Sequence, residues 1–442
     1  MPSRSVRRVY RGSANTGILT LTMIPPTDQT PTMSLLRILL PVVMASTLTV
    51  CGAPPSSNSP SVVEADSSGV SLMTVRGSID ALPRWTVDSI PTFQVRGDEA
   101  PFLSDVGEVA VASDGRLIVE DNQAAEVWVF EPSTDPVALG ARGDGPGEFR
   151  NVVSITVGRA DSIFVFDRRQ ARMTVFHSTG TLSEVIDLPR GVEGEGTFLV
   201  SAWPVGDHVL LQSIRFSEPA DLTTGMRLGS PESTLRLADR DGRPSDQAAR
   251  FAAGLALMNQ RFDGRSPFSA DPSIAVRDTL LVHGRGAGYT LEHRTPDLRL
   301  RRSTRWPGRR RALTPAEVDY ERSVVEARFT SAGRAQPERI EALLDEMFAP
   351  QVVPDELPAL GPIHIDDIGR VWVQSFRLRT AAWQQEHAWH VLRPSGRPLA
   401  QLVLPPETRL AAVHDDHVVL VSRDALEVQQ IGVYAVNRSS GR

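Results

Sequence analysis

Eleven polar residues fall where short β-patterns break: Asp121 and Asn122, Asp167, Arg168 and Arg169, Arg215, Arg285, Arg377 and Arg379, and Arg423 with Asp424. A guanidinium grips a carboxylate, sulfate or phosphate through two parallel N–H donors, which a flexible ammonium does less specifically. Arginines recurring on one face would therefore hold a small anionic ligand. The alternative for each is a solvated loop residue paired with a neighbouring acid. Asp121, Asn122, Asp167 and Asp424 also carry the hard oxygen donors that calcium takes, at a spacing too generic to define a site.

Two further clusters have metal-ligand chemistry, "HIDDIG" at 364–369 and "HDDH" at 414–417. Both fall where related segments carry "ASDGR" and "GRAD". Asp suits such turns because it hydrogen-bonds local backbone, and Gly because it tolerates positive φ. They read as turns, and no metal ligand, cofactor or catalytic residue is assigned. There is no G-x-S-x-G nucleophile motif, and the glycine-rich run at 140–149 lacks the Lys-Ser/Thr ending of a phosphate-binding loop.

The elements that must position these residues show themselves as a repeat. "GRLIVEDNQAAEVWVF" at 115–130 is rewritten 46 residues later as "DSIFVFDRRQARMTVF" at 161–176, so that Leu117 matches Ile163, Val119 matches Val165 and Asp121 matches Asp167. A period of 40–50 residues with several short strands per unit is the pattern of propeller blades. Further units follow at 207–242, 278–294, 369–404 and 409–437, the last with three strands only. A strand pattern at 83–95, "PRWTVDSIPTFQV", is left over. It is expected to supply the missing strand by pairing with the blade that ends near Asn437, because an open ring would expose an unpaired edge. The expected fold is all-β, a six-bladed β-propeller of four-stranded blades.

Two insertions interrupt it. Residues 314–350 carry a capping box, Thr314 with Glu317, and then Ile340, Leu343, Leu344, Met347 and Phe348 on one helical face. They predict a helical hairpin between blades four and five, packed on the propeller and partly covering its mouth. Residues 245–262 predict one more helix between blades three and four. The basic run at 298–313 could meet anionic lipid or polysaccharide, but with acidic helices following it the run is expected to be a solvated or internally paired face.

The connection "GARGDGPGEFRNVVSITV" at 140–157 resembles that of the NHL-type six-bladed β-propeller family, and more closely that of bacterial propeller lipoproteins of unassigned activity. The likeness is sharp over 98–188 and returns in "GRVWV" and "SGRPLAQLVLP". It implies that blade connections and the loops between second and third strands emerge on one face around a central channel, where the eleven polar residues would gather. Some propellers of this kind are calcium-dependent lactonases or lyases. Fold transfers by such a likeness; activity does not.

The front end gives an address. Residues 33–50 hold one arginine and then a short interrupted apolar run, as in a secretory signal, and translation is expected to begin at Met33. The run ends at Cys51, the only cysteine, in "LTVC", which resembles a bacterial lipobox. Lipidation of Cys51 would anchor the chain to a bacterial membrane outside the cytosol. Residues 51–82, rich in Pro and Ser at their start, read as a flexible tether to a propeller domain over 83–442. Removal of residues 1–50 takes away five arginines and one aspartate, which moves the formal charge from −6 to −10. Such an acidic chain is a poor nucleic-acid binder. The expected protein is a monomeric, non-enzymatic binding or scaffolding module for an unknown protein or small anionic ligand. The alternative is a calcium-dependent hydrolase or lyase on the channel.

Overall fold

The computed structural model describes residues 60–97, 99, 101–191, 197–215, 226–252, 254–258, 263–269, 273–285, 288–308, 310–331, 336–378, 386–424, 426 and 428–438. The signal segment, Cys51 and Arg379 lie outside the described residues.

Six antiparallel sheets follow one another along the chain: 106–140, 152–187, 197–252, 274–305, 360–404 and 408–437. This is a six-bladed β-propeller. Innermost strands such as Val106–Val111 and Val152–Val157 present one face to a central channel, so buried and accessible residues intermix along them. The second strands Leu117–Asp121 and Ile163–Asp167 are buried at every residue. Each blade's middle lies between two neighbours, which is why those strands begin with an unbroken apolar run, Leu117–Val119 and Ile163–Phe166, before their terminal acids.

The core is divided among the blade interfaces. Ile118, Val127, Phe149, Ile163, Val165 and Phe176 fill the first. Comparable clusters fill the interfaces of blades two with three, three with four, four with five, five with six, and six with one. Burial of each such large side chain contributes roughly 1.5–3 kcal/mol. The glycine-rich connection serves the first interface. A Cβ at Gly140 would collide with the Gly147 carbonyl and the Phe149 ring, so only glycine lets fully buried Phe149 seat 6.4 Å from Phe176.

The ring closes as the leftover strand predicts, with an addition. Phe93–Arg96 is the fourth strand of blade six, with Ile431 opposite Val95 and Val433 opposite Phe93. Arg84–Val87 instead bridges two blades. It runs parallel to the last strand of blade five, Leu402 opposite Trp85, and antiparallel to the end of blade six, Val87 opposite Val436.

Two sequence expectations are corrected. The tether does not extend to residue 82: Ser61–Ser67 and Val70–Arg76 form a hairpin whose second strand lies parallel to Leu300–Arg305 and widens blade four to six strands. Its outer strand is nearly all exposed, which explains its tether-like composition, while Met73 and Val75 of the inner one are buried. The described part of 245–262, residues 245–252 and 254–258, is not a helix. Pro244–Ala252 is the outer strand of blade three and Ala256–Met258 joins a small three-stranded sheet. Cross-strand burial of Ala249 overrides the helical propensity of its alanine-rich sequence.

The hairpin α1 (Pro315–Ser331) and α2 (Pro337–Met347) is present between blades four and five. Its capping box is formed: Thr314 N donates to Glu317 Oε2 at 3.0 Å and Glu317 N to Thr314 Oγ1 at 3.4 Å. Ile340, Leu344, Met347 and Phe348 pack with Met226, Leu257, Phe268 and Leu378 in a core of their own. The basic run meets acids as expected, Arg311 with Glu317 at 2.7 Å and Arg310 with Glu356 at 2.6 Å. No helix among the described residues is long and apolar enough to cross a membrane.

Candidate functional site

Antiparallel meanders place every blade connection and every loop between second and third strands at one end of the ring, here called the connection face. The channel, about 370 Å³, is lined by inner strands of all six blades. At the connection face it meets a pocket of about 490 Å³, to which Glu108, His364, Trp389, Arg377 and Arg409 contribute, with Arg328 from α1. The helical hairpin thus packs on the ring and partly overhangs its mouth.

The mouth has unusual electrostatics. The inner strand of blade one is irregular between Val106 and Val109, and a Cβ at Gly107 would collide with the Glu120 carboxylate. Glycine there lets Glu120 come up to the backbone, where Glu108 N donates to its Oε2 at 3.0 Å. Its Oε1 has no hydrogen-bond partner and the residue is buried, so desolvation, with added repulsion from Glu108, Asp105 and Asp121, pushes its pKa up to about 8. Glu108 keeps accessible surface toward the lumen, but protein atoms enclose that lumen, and desolvation raises its carboxyl as well, against the pull of Arg409. Burial likewise holds His364 down to about 4, so its imidazole is neutral at pH 7. The mouth therefore gathers the raised Glu108 carboxyl, a neutral imidazole and the Arg409 cation, with the Glu120 carboxyl buried behind Glu108.

A second, larger cavity of about 1080 Å³ lies on the same face between blades two and three. Arg150 and Asn151 reach it from the connection between blades one and two, Arg168 and Arg169 from the loop within blade two, and Arg190 from the connection between blades two and three. Phe198, 53% exposed, supplies an aromatic surface, and among the described residues no carboxylate lines the cavity. Arg150 is held by Asp144 through two bonds of 2.9 and 2.6 Å. Arg168 is anchored through Nε on Asn151 Oδ1 at 3.1 Å, and Arg190 through Nη1 on the Arg169 carbonyl at 2.9 Å. Arg215 ends a strand directly opposite Thr197 of the lining.

The sequence-selected residues divide accordingly. Arg168 and Arg169 line the arginine cleft, Arg215 flanks it, and Arg377 lines the channel mouth. Arg285 ends the second strand of blade four, and Arg423 that of blade six. The aspartates hold their own loops. Asp121 accepts from Ser104 N, Ser104 Oγ and Ala124 N, and Asp167 accepts from Arg150 N, Asn151 N and Gln170 N. Both are buried, and Ala125 and Ala171, 46 residues apart, share a left-handed φ of 55° and 53° in the loops so held. Asp424 accepts from Leu426 N and Val428 N, which hold its carboxyl below the ordinary value, and Asn122 donates to Asp105 at 2.9 Å.

Arg150, Arg190, Phe198, Glu108, Glu120 and Arg409 were not among the residues the sequence singled out, and His364 stood there only as the first residue of a turn cluster. The two arginines lie in blade connections, which the resemblance to NHL-type propellers implied to be on this face. The one signal for Glu108 and Arg409 in the sequence is a charge on an otherwise apolar inner strand.

The fold defines the class, a six-bladed β-propeller. Residues 98–193, the first two blades with their flanks, match a family described as "6-bladed beta-propeller". No curated protein matches the chain. Similar solved structures include a member of the duf4221 family from Bacteroides vulgatus, 10% identical over 80% of this chain and 99% of its own, TM-score 0.44. Others are a putative exported protein from Bacteroides fragilis, 12% identical over 80% and 98%, TM-score 0.39, and virginiamycin B lyase from Staphylococcus aureus, 8% identical over 78% and 98%, TM-score 0.38.

Proposed function

We propose that this protein is an extracytoplasmic binding module of the NHL-like propeller kind, lipid-anchored at Cys51, that captures an anionic ligand in the cleft between blades two and three. One observation carries the reading: arginines from three separate loops line one cavity together with exposed Phe198, and no carboxylate is among the described lining residues. Two of them are pre-oriented by neutral acceptors, Arg168 by Asn151 and Arg190 by the Arg169 carbonyl, bonds that hold the side chain without neutralising its charge. Guanidinium donors would grip a phosphate, sulfate or carboxylate, and the ring of Phe198 would cover an apolar part of the same ligand.

Calorimetric titration with phenyl phosphate and inorganic phosphate tests this. Phenyl phosphate should bind more tightly, and Arg169→Ala and Arg190→Ala should each weaken it about 10-fold or more, the worth of a hydrogen bond to a charged group. Equal affinity in both variants, or no binding of either probe at millimolar concentration, would remove the assignment.

A second reading, a hydrolase or lyase at the channel mouth, is favoured by the raised Glu108 carboxyl beside His364 and Arg409. Its calcium-dependent form requires several oxygens converging on the axis. Among the described residues, no group of three His, Cys, Asp or Glu ligand atoms does so.

A further inference from the structure

On the face opposite the arginine cleft, the hairpin turn between the first two strands of blade six carries His414, Asp415, Asp416 and His417. The turn is tight: His414 N donates to the His417 carbonyl at 2.9 Å, immediately beyond the strand pair Val413 and Val418. Residues flanking a two-residue turn stand directly opposite each other with side chains on one face. The two imidazoles accordingly stack, 4.4 Å between ring centres and 14° between planes.

Asp416 turns its carboxylate back over this pair. Its Oδ1 lies 2.7 Å from His417 Nδ1 and 3.4 Å from His414 Nδ1. One ligand atom from each of the three residues falls within 4.8 Å of the others. A tetrahedral ion with bonds of about 2.0–2.1 Å needs ligand atoms about 3.3 Å apart. The triangle therefore brackets the required size, and small side-chain rotations that open the 2.7 Å contact would admit an ion.

Two independent features orient the first imidazole. His414 Nδ1 is shielded from solvent and has no hydrogen-bond partner. On the far side of that ring, Nε2 lies 3.3 Å from Asp367 Oδ2, which comes from the corresponding turn of blade five. A carboxylate accepting the outer N–H leaves the other nitrogen with its lone pair directed at Asp416, the arrangement that metal-binding histidines use. Asp415, the other acid of the turn, is diverted to Arg370 at 2.9 Å and Arg438 at 2.7 Å, so it does not compete for the ion. Asp416 is 77% exposed, which leaves a coordination position open to water.

We propose that His414, Asp416 and His417 bind one divalent transition-metal cation of the zinc class, with Asp367 of the neighbouring blade as a positioning residue. Two imidazoles and one carboxylate favour zinc, cobalt, nickel or copper over the oxygen-seeking calcium and magnesium.

The test uses the mature chain without histidine tags, titrated with Co²⁺ and followed by the visible absorption of the bound ion, then with Zn²⁺ in competition. Wild type should take up one Co²⁺ with the intense colour of a low-coordinate site, and Zn²⁺ should bleach it. His414→Gln and His417→Gln should each weaken Co²⁺ binding at least 100-fold, and Asp367→Asn should weaken it about 10–100-fold while preserving the spectrum. Melting without metal reports whether each variant folds. Should one histidine variant unfold, Asp416→Asn, at an exposed position, makes the same measurement. Absence of stoichiometric Co²⁺ or Zn²⁺ binding by wild type, or undiminished binding in the folded variants, would overturn the proposal.

Discussion

Arg409, at the start of the inner strand of blade six, donates through Nη2 to the carbonyl of Gly107 in blade one at 2.9 Å and to that of Val106 at 2.8 Å. The irregularity that admits Glu120 thus puts two carbonyls within reach of a charge from the last blade, and the ring is closed by a side chain as well as by a strand. Gln429 adds to this seam by accepting from Val106 N at 2.5 Å. Arg409→Ala should lower unfolding free energy by about 2–4 kcal/mol, since it strips a charged donor from enclosed acceptors. Arg409→Lys should recover only part of it. Urea denaturation gives both values, and a loss below 0.5 kcal/mol would show that the strand alone closes the ring.

Stability should depend on pH through Glu120. The folded carboxyl keeps its proton to about pH 8, whereas an ordinary one releases it near 4.5. Between those values the native state binds more protons than the unfolded chain, so stability is fully present below 4.5 and falls as pH rises through 8. His293, His364 and His390, each held at about 4 by burial, act in the opposite sense. Their contribution is present above 6.5 and is lost as pH falls toward 4. Melting temperature should therefore fall from pH 6.5 to 8, and Glu120→Gln should flatten that fall. An unchanged slope in the variant would place the titration elsewhere.

Asp121 and Asp167 hold equivalent loops through equivalent bonds, so Asp121→Ala and Asp167→Ala should each cost about 2–3 kcal/mol of stability. Their effects on ligand capture should differ. Asp167 fixes the backbone of Arg150 and Asn151, in the lining of the arginine cleft, and Asp121 does not. Phenyl phosphate affinity should fall in the Asp167 variant alone; equal affinities would mean that the cleft does not depend on this loop.

The hairpin at 61–76 should behave as part of the propeller. A chain beginning at Pro60 should melt like the mature protein, whereas one beginning at Gly77 should lose several degrees, because Met73 and Val75 would no longer cover blade four. Calorimetry on the two truncations decides it. Equal melting temperatures would return 61–76 to the status of tether.

The repeat at 115–130 and 161–176 was enough to reveal the blades, because every blade solves the same problem of burying two faces between like neighbours. It also revealed the roles of Asp121 and Asp167 as a matched pair, though not that their oxygens hold backbone, since Asp in a turn looks the same whether it faces a ligand or its own loop. Composition misjudged 61–76 and 245–262. An outer strand is exposed on most of its length and carries the polar or alanine-rich pattern of a tether or a helix, so only its neighbour identifies it.

The amino-acid sequence by itself determined the number of blades, the strand that closes the ring and the helical hairpin, because these follow from periodicity and local capping along the chain. Tertiary structure alone decided which charges meet across blades. The joining of Arg150, Arg168 and Arg190 in one cleft, of Arg409 with Gly107, and of Asp367 with the 414–417 turn depends on neighbouring blades placed side by side. Residues from tens to three hundred positions apart become neighbours only when the ring closes, and no local pattern encodes that distance.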